Sequence, residues 1–121
     1  MGQAALRTAT NFSSASAIDR VYLDAMTFGD GALKRELLQL FDRQAEILLA
    51  RMRTSDAGTV ATLAHTLKGS AVGIGAGAVA EAAAALEAAA AGSPRERAAK
   101  LDALGAAVAA ARGEITALLR A

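Results

Sequence analysis

The sequence predicts an all-α protein: an antiparallel four-helix bundle with a short additional N-terminal helix. Three observations carry that prediction. Apolar residues recur at i, i+3, i+4 and i+7 in one segment after another. Short stretches of cap and breaker residues separate those segments. No stretch alternates as a half-buried strand would, and alanine, the strongest helix former, is used freely. Four long periodic segments with short connections close most simply as an antiparallel bundle.

Residues 1–15 include Thr10, Asn11, Ser13 and Ser14 and read as a flexible tail. Residues 16–121 read as a single helical domain. Asp19 to Thr27 forms a short helix with Ile18, Val21, Tyr22 and Met26 as apolar contacts. Gly29-Asp30-Gly31 breaks it, and Asp30 is a good N-cap for the next helix. That second helix runs to about Arg53. Leu33, Leu37, Leu40, Phe41, Ile47, Leu48 and Met52 line one face, and Leu38, Ala45 and Leu49 widen it. A wide stripe suits a helix that touches two neighbours. Gln44 falls inside the stripe and needs a hydrogen-bond partner or a place at the bundle's end.

Thr54-Ser55-Asp56 is a turn with cap residues. The third helix follows to about Val72, with Val60, Leu63, Ala64, Leu67, Ala71 and Ile74 in one stripe. Gly73 to Gly77 then loosens the chain. The fourth helix spans about Ala76 to Ala91, with Val79, Ala83, Leu86 and Ala90 inward, and Gly92 ends it. Ser93-Pro94-Arg95-Glu96 is a capping box with proline at the first helical position. The last helix carries Leu101, Leu104, Val108, Ile115, Leu118 and Leu119. Gly105 and Gly113 weaken it and make a kink possible.

Composition removes several function classes. The 121 residues are 54% hydrophobic with a formal net charge of +1, and no basic stripe suggests nucleic acid. There is no cysteine, hence no disulfide framework or thiol chemistry. One histidine without cysteine makes a zinc site a poor reading. No apolar run approaches the ~20 residues that span a membrane, and the N-terminus lacks the apolar core of a signal peptide. Met1-Gly2 fails as a myristoylation start because position 6 is Leu. A lipid-surface role lacks its basic face. A soluble cytoplasmic protein is expected. Gly73-Ile74-Gly75-Ala76-Gly77-Ala78 fits a dinucleotide fingerprint, but that fingerprint needs a preceding strand, and here a helix precedes it. No Walker or kinase motif is present, so the chain is not expected to bind ATP or phosphorylate itself.

The remaining chemistry gathers at His65, the single histidine. It lies about 150° from the middle of its helix's apolar stripe, and Gly69 is nearly opposite that stripe, so both face water. Lys68 lies between, with its stem free to run along the helix. A glycine inside a helix costs about 0.5–1 kcal/mol relative to alanine, so the space above Gly69 has a use. A neutral imidazole is a good nucleophile, and phosphoryl transfer needs positioning and charge neutralisation. Lys68 can supply positive charge.

His65-Thr66-Leu67-Lys68-Gly69-Ser70-Ala71, with Gly75 ten residues after the histidine, resembles the signature of histidine phosphotransfer (HPt) domains. Leu37-Leu38-Gln39-Leu40-Phe41, Asp56 and Leu86-Glu87 extend the resemblance over about residues 18–120. Gly73 departs from it, since many members carry Asn, Gln or Ser there. The resemblance implies a bacterial two-component phosphorelay carrier that passes a phosphoryl group on His65 between aspartates of receiver domains. It implies that His65 is phosphorylated on Nε2, that Lys68 stabilises charge and that Gly69 gives the partner's loop access. Thr62, Thr66, Val72, Gly73 and Ala76 are the expected docking residues. The partners implied are response-regulator receiver domains and the receiver domain of a hybrid histidine kinase. With no acidic cluster near His65 in sequence, Mg2+ is expected to come from the receiver. A free-standing monomeric carrier is the expectation. The alternative is a non-catalytic helical interaction module.

Overall fold

A computed structural model describes residues 16–121. The expected tail, 1–15, lies outside the described residues. Among the described residues five helices follow one another: α1 (Arg20–Met26), α2 (Gly31–Met52), α3 (Ala57–Gly73), α4 (Gly77–Ala89) and α5 (Pro94–Arg120). The described residues contain no strand. Each long helix packs against its chain neighbours, and α5 closes the ring on α2.

The helix starts are set locally. The carboxylates of Asp19, Asp30 and Asp56 accept the N–H groups of Tyr22, Leu33 and Thr59, three residues on. Each thereby satisfies a donor that the first helical turn leaves free. Ser93 does the same for Glu96, with Pro94 at the first helical position. At Asp56 the Thr59 N–H favours the ionised form and holds the carboxyl below its ordinary range. α4 alone among the long helices has no side-chain cap. α5 runs unbroken through Gly105 and Gly113, so the possible kink is not seen.

The core is built from Leu38, Phe41, Ala45, Leu48 and Met52 of α2, Val60, Leu63, Ala64, Leu67 and Ala71 of α3, and their α4 and α5 counterparts. Those counterparts are Val79, Ala83, Leu86 and Ala90, then Leu104, Val108, Ala111 and Ile115. Each long helix contributes at least one buried alanine to this core.

Two expectations about the core are corrected. In α2, Leu40 and Ile47 are 49% and 57% exposed. The buried line runs through Leu38, Phe41, Ala45, Leu48 and Met52, and both residues lie about 120–140° round the helix from it. Gln44, on the same turn of surface, is half-buried and keeps contact with water. In α1, Val21 and Met26 face outward, while Leu23 and the flanking Ile18 and Thr27 are buried.

α1 covers the end of the bundle where α3 stops and α4 begins. Asp19 donates its N–H to the Gly75 carbonyl at 2.9 Å. Ser16 Oγ and the Ala17 N–H both donate to the Glu114 carboxylate of α5 at 2.8 Å. Gly75 has φ +76°, and a Cβ there would lie 3.0 Å from the Asp19 carbonyl and 3.1 Å from the Tyr22 ring. The seat of α1 therefore requires a residue without a side chain at 75.

Candidate functional site

His65 sits in the middle of α3, on the face away from the core, with its side chain 66% exposed. The inward residues Ala64 and Leu67 are fully buried and fix the rotation of the helix, so His65 must point outward. Gly69, one turn on, is exposed, and nothing lies within 4 Å of the position a Cβ would take. The imidazole thus stands beside a patch of bare backbone.

The histidine's partner comes from α4. Leu86 is fully buried, and Glu87 follows it one step round the helix, toward α3. Its Oε2 lies 3.0 Å from His65 Nδ1, and its Oε1 lies 3.4 Å from Lys68 Nζ. One carboxylate therefore ties both basic groups of the motif. Partial burial alone would raise the Glu87 carboxyl. The hydrogen bonds and charges of Lys68 and His65 outweigh it and hold the group below its ordinary range. An ionised carboxylate only accepts, so Nδ1 carries the proton and donates it to Glu87. In the neutral ring the lone pair is then on Nε2, the ring atom farther from Glu87.

Lys68 is half-buried, and its ammonium is drawn toward Glu87. Ala61, Thr62, His65, Thr66 and Glu87 line a shallow groove of about 260 Å³. The hydroxyls of Thr62 and Thr66 donate to the carbonyls of Gly58 and Thr62, so they turn back on the helix. Val72 is 54% exposed, and Gly73 is exposed beside it. Ala76 corrects the sequence reading. Its side chain is fully buried under the α3–α4 turn, which removes it from the surface.

Two contributions were missed by reading the sequence alone. Glu87 was quoted only as part of a leucine-glutamate pair, with no role. The available signal was its place as one of two charged residues on an otherwise alanine-rich helix. The second contribution comes from Leu40 and Ile47. α2 and α3 are antiparallel about the turn at 53–56, with the same rise per residue. Counting outward from that turn puts Ile47 about level with Thr62 and Leu40 about level with Gly69. Two exposed apolar side chains of α2 thus stand at the axial level of the histidine motif.

Magnesium fits this site poorly. It asks for octahedral oxygen ligands, and the one carboxylate beside His65 is already engaged by two basic groups. Among the described residues no group of three or more His, Cys, Asp or Glu could hold a metal ion. No helix among them is long and apolar enough to cross a membrane.

A family model described as the Hpt domain matches residues 35–121. Among solved structures, the X-ray structure of a rice protein named as a histidine-containing phosphotransfer protein is similar, with a TM-score of 0.78. The two are 16% identical, over 93% of this chain and 86% of the other, so the likeness is one of fold. No curated protein matches the chain.

Proposed function

The chain belongs to the Hpt domain family, and from that membership we propose that it carries a phosphoryl group on His65 between aspartates of receiver domains. The observation that carries the reading is the hydrogen bond from His65 Nδ1 to Glu87. In the neutral ring it leaves the lone pair on Nε2 of a largely exposed side chain, the form a nucleophile needs.

The step balances as follows. The Nε2 lone pair attacks phosphorus of a receiver's aspartyl phosphate. The N–P bond forms as the bond to the aspartyl oxygen breaks, and the electron pair leaves on the carboxylate. The ring becomes a cation, and its Nδ1–H already faces the Glu87 carboxylate, which stabilises that charge. Lys68 can swing from Glu87 toward the phosphoryl oxygens. Return transfer to a second aspartate reverses each movement. Mg2+, where the chemistry uses it, comes with the receiver, because this site does not fit it.

The receiver docks, on this reading, over Gly69, with Thr62, Thr66, Val72 and Gly73 beneath it and Leu40 and Ile47 at its edge. Bare backbone at Gly69 lets the loop around the reactive aspartate come within reach of Nε2. The partners proposed are a response regulator and the receiver of a hybrid kinase, met by a monomer of this chain. The fold by itself does not fix a bacterial source, since the similar solved structure is from rice.

The test is transfer from a panel of phosphorylated receiver domains. The chain should acquire an acid-labile, base-stable label, and His65→Gln should keep its helical content and acquire none. Label persisting on the variant would refute His65 as the acceptor. A chain that no receiver labels would be a binding module instead.

A further inference from the structure

The docking face proposed above carries no free charge of its own. Thr62, Thr66, Gly69, Val72 and Gly73 are uncharged, and Lys68 is tied to Glu87. His65 is the central residue of α3, eight residues from Ala57 and eight from Gly73. Either end of the helix is therefore about 12 Å away. Nothing in these residues decides in which direction a partner laid over the histidine runs along α3. The charges that differ lie at the two ends of the bundle.

The α1 end is acidic. Asp24 and Glu114 are matched there in ion pairs by Lys34 and Arg20. Asp19, Asp30, Glu36 and Glu81 remain, against Arg35 and Arg120. Asp19 and Glu81 line a groove of about 670 Å³ between α1 and the start of α4, together with Tyr22, Gly75 and Ala80. Val72 lines the same groove, so it is continuous with the histidine face. The opposite end is basic. Arg51 and Arg53 close α2, and Arg95, Arg97 and Lys100 lie in the first two turns of α5. Asp56 and Glu96 oppose them at that end. Among the described residues none of the five basic groups is in an ion pair. Arg51 follows Ile47 by one turn, so it continues the exposed edge of α2 that stands level with the motif.

We propose that this gradient of charge sets the direction in which a receiver lies across His65. The receiver's basic edge lies in the groove under α1, against Asp19 and Glu81, and its acidic edge lies beside Arg51. The occupant is thus a receiver domain with opposite charges at two edges of its docking surface, and the proposal rests on the phosphotransfer reading given above. The two poles are about 24 Å apart along α3, well beyond the screening length of about 8 Å at physiological salt. Each pole therefore acts on its own edge of the partner. Charges at the rim of an interface act chiefly on the rate of encounter and on orientation. The glycine and alanine of the groove let a long basic side chain lie along them with its charged head at the Glu81 carboxylate. The reversed orientation sets like charges together at both ends.

The test uses the phosphorylated receiver that labels His65 fastest, with the wild-type chain, Glu81→Arg, Arg51→Glu and the variant carrying both. Both side chains are exposed, so helical content should be unchanged. In second-order labelling at low salt each single reversal should slow transfer about twofold to fivefold, the range of one exposed ion pair. The doubly reversed chain has the wild-type net charge, yet the two distant losses should multiply, to about fourfold to twenty-five-fold. At about 1 M salt the screening length falls to about 3 Å, and all four chains should label alike. At saturating receiver the rate should not change, because neither residue touches the reacting atoms. A doubly reversed chain as fast as the wild type would mean that only net charge counts, and would overturn the proposal. Equal rates for all four chains at low salt would overturn it as well. Salt-sensitive pairing of wild-type copies in sedimentation, lost in both single variants, would give the gradient to a second copy of this chain and so refute the proposal. In each of these cases a labelled wild-type chain leaves the phosphotransfer reading standing. A wild-type chain that no receiver labels removes that reading, and the proposal with it.

Discussion

Gly75→Ala tests how the bundle's end is built. The substitution places a Cβ at a residue with φ +76°, where an L side chain is disfavoured by about 1–2 kcal/mol. The same Cβ meets the Asp19 carbonyl at 3.0 Å, the Tyr22 ring at 3.1 Å and the Asp19 Cβ at 3.2 Å. Two of those three atoms belong to the residue that caps α1 and donates to the Gly75 carbonyl. The neighbour cannot give without loosening the cap. Overpacking of this kind costs typically about 1–3 kcal/mol, and lost chain entropy in the unfolded state returns at most about 1 kcal/mol. A net loss of about 2 kcal/mol follows, or a fall in Tm of roughly 6–10 °C for a domain of this size. Gly69→Ala is the matched control. Nothing stands within 4 Å of its Cβ, it lies mid-helix, and it should gain about 0.5–1 kcal/mol. Thermal unfolding followed by circular dichroism reads both. Amide exchange in Gly75→Ala should rise first in α1 and the α3–α4 turn. A Gly75→Ala protein as stable as its parent would refute the reasoning, because α1 would then not be seated on this turn.

The other expected outcomes concern the site. Gly69→Leu should keep or raise Tm, since the position opens to water, while transfer from a receiver falls steeply; normal transfer would mean that no partner approaches this face. Lys68→Ala should slow transfer about tenfold to a thousandfold, as expected for one electrostatic contact at moving charge, with little change in Tm; an unchanged single-turnover rate would make the lysine a bystander. The Glu87 carboxyl is held low in the folded state, so its tie to His65 and Lys68 is fully present above the unfolded value near ~4.3 and is lost as pH falls through the folded value. The Glu87 carboxyl carbon shift in NMR should therefore show its acid transition below the ordinary carboxylate range; in the double variant His65→Gln, Lys68→Ala that transition should move back up, and a transition left in place would refute the tie as its cause.

The parts of this protein legible in its sequence are those decided within about one turn of chain. Asp19, Asp30, Asp56 and Ser93 each cap a helix by reaching three residues ahead, so the four starts could be read directly. The outward face of His65 and Gly69 followed from the five inward residues of the same helix. Between helices, local pattern stopped deciding. α2 offers more apolar residues than one face can bury, and only packing against α3 and α5 chose Leu38, Phe41 and Ala45 over Leu40 and Ile47. Ala76 stood next to the motif in sequence, yet the fold of the turn buries it. Gly75 could be matched to a pattern, but its reason is the approach of Asp19 and Tyr22 from another helix. Glu87 shows the limit most clearly. It lies 22 residues from His65, and the 3.0 Å contact depends on the rotation and axial register of α4 against α3. Those two quantities are set by the whole core at once, through Ala64, Leu67, Ala83 and Leu86 filling the space between the helices, so no short window of sequence contains them.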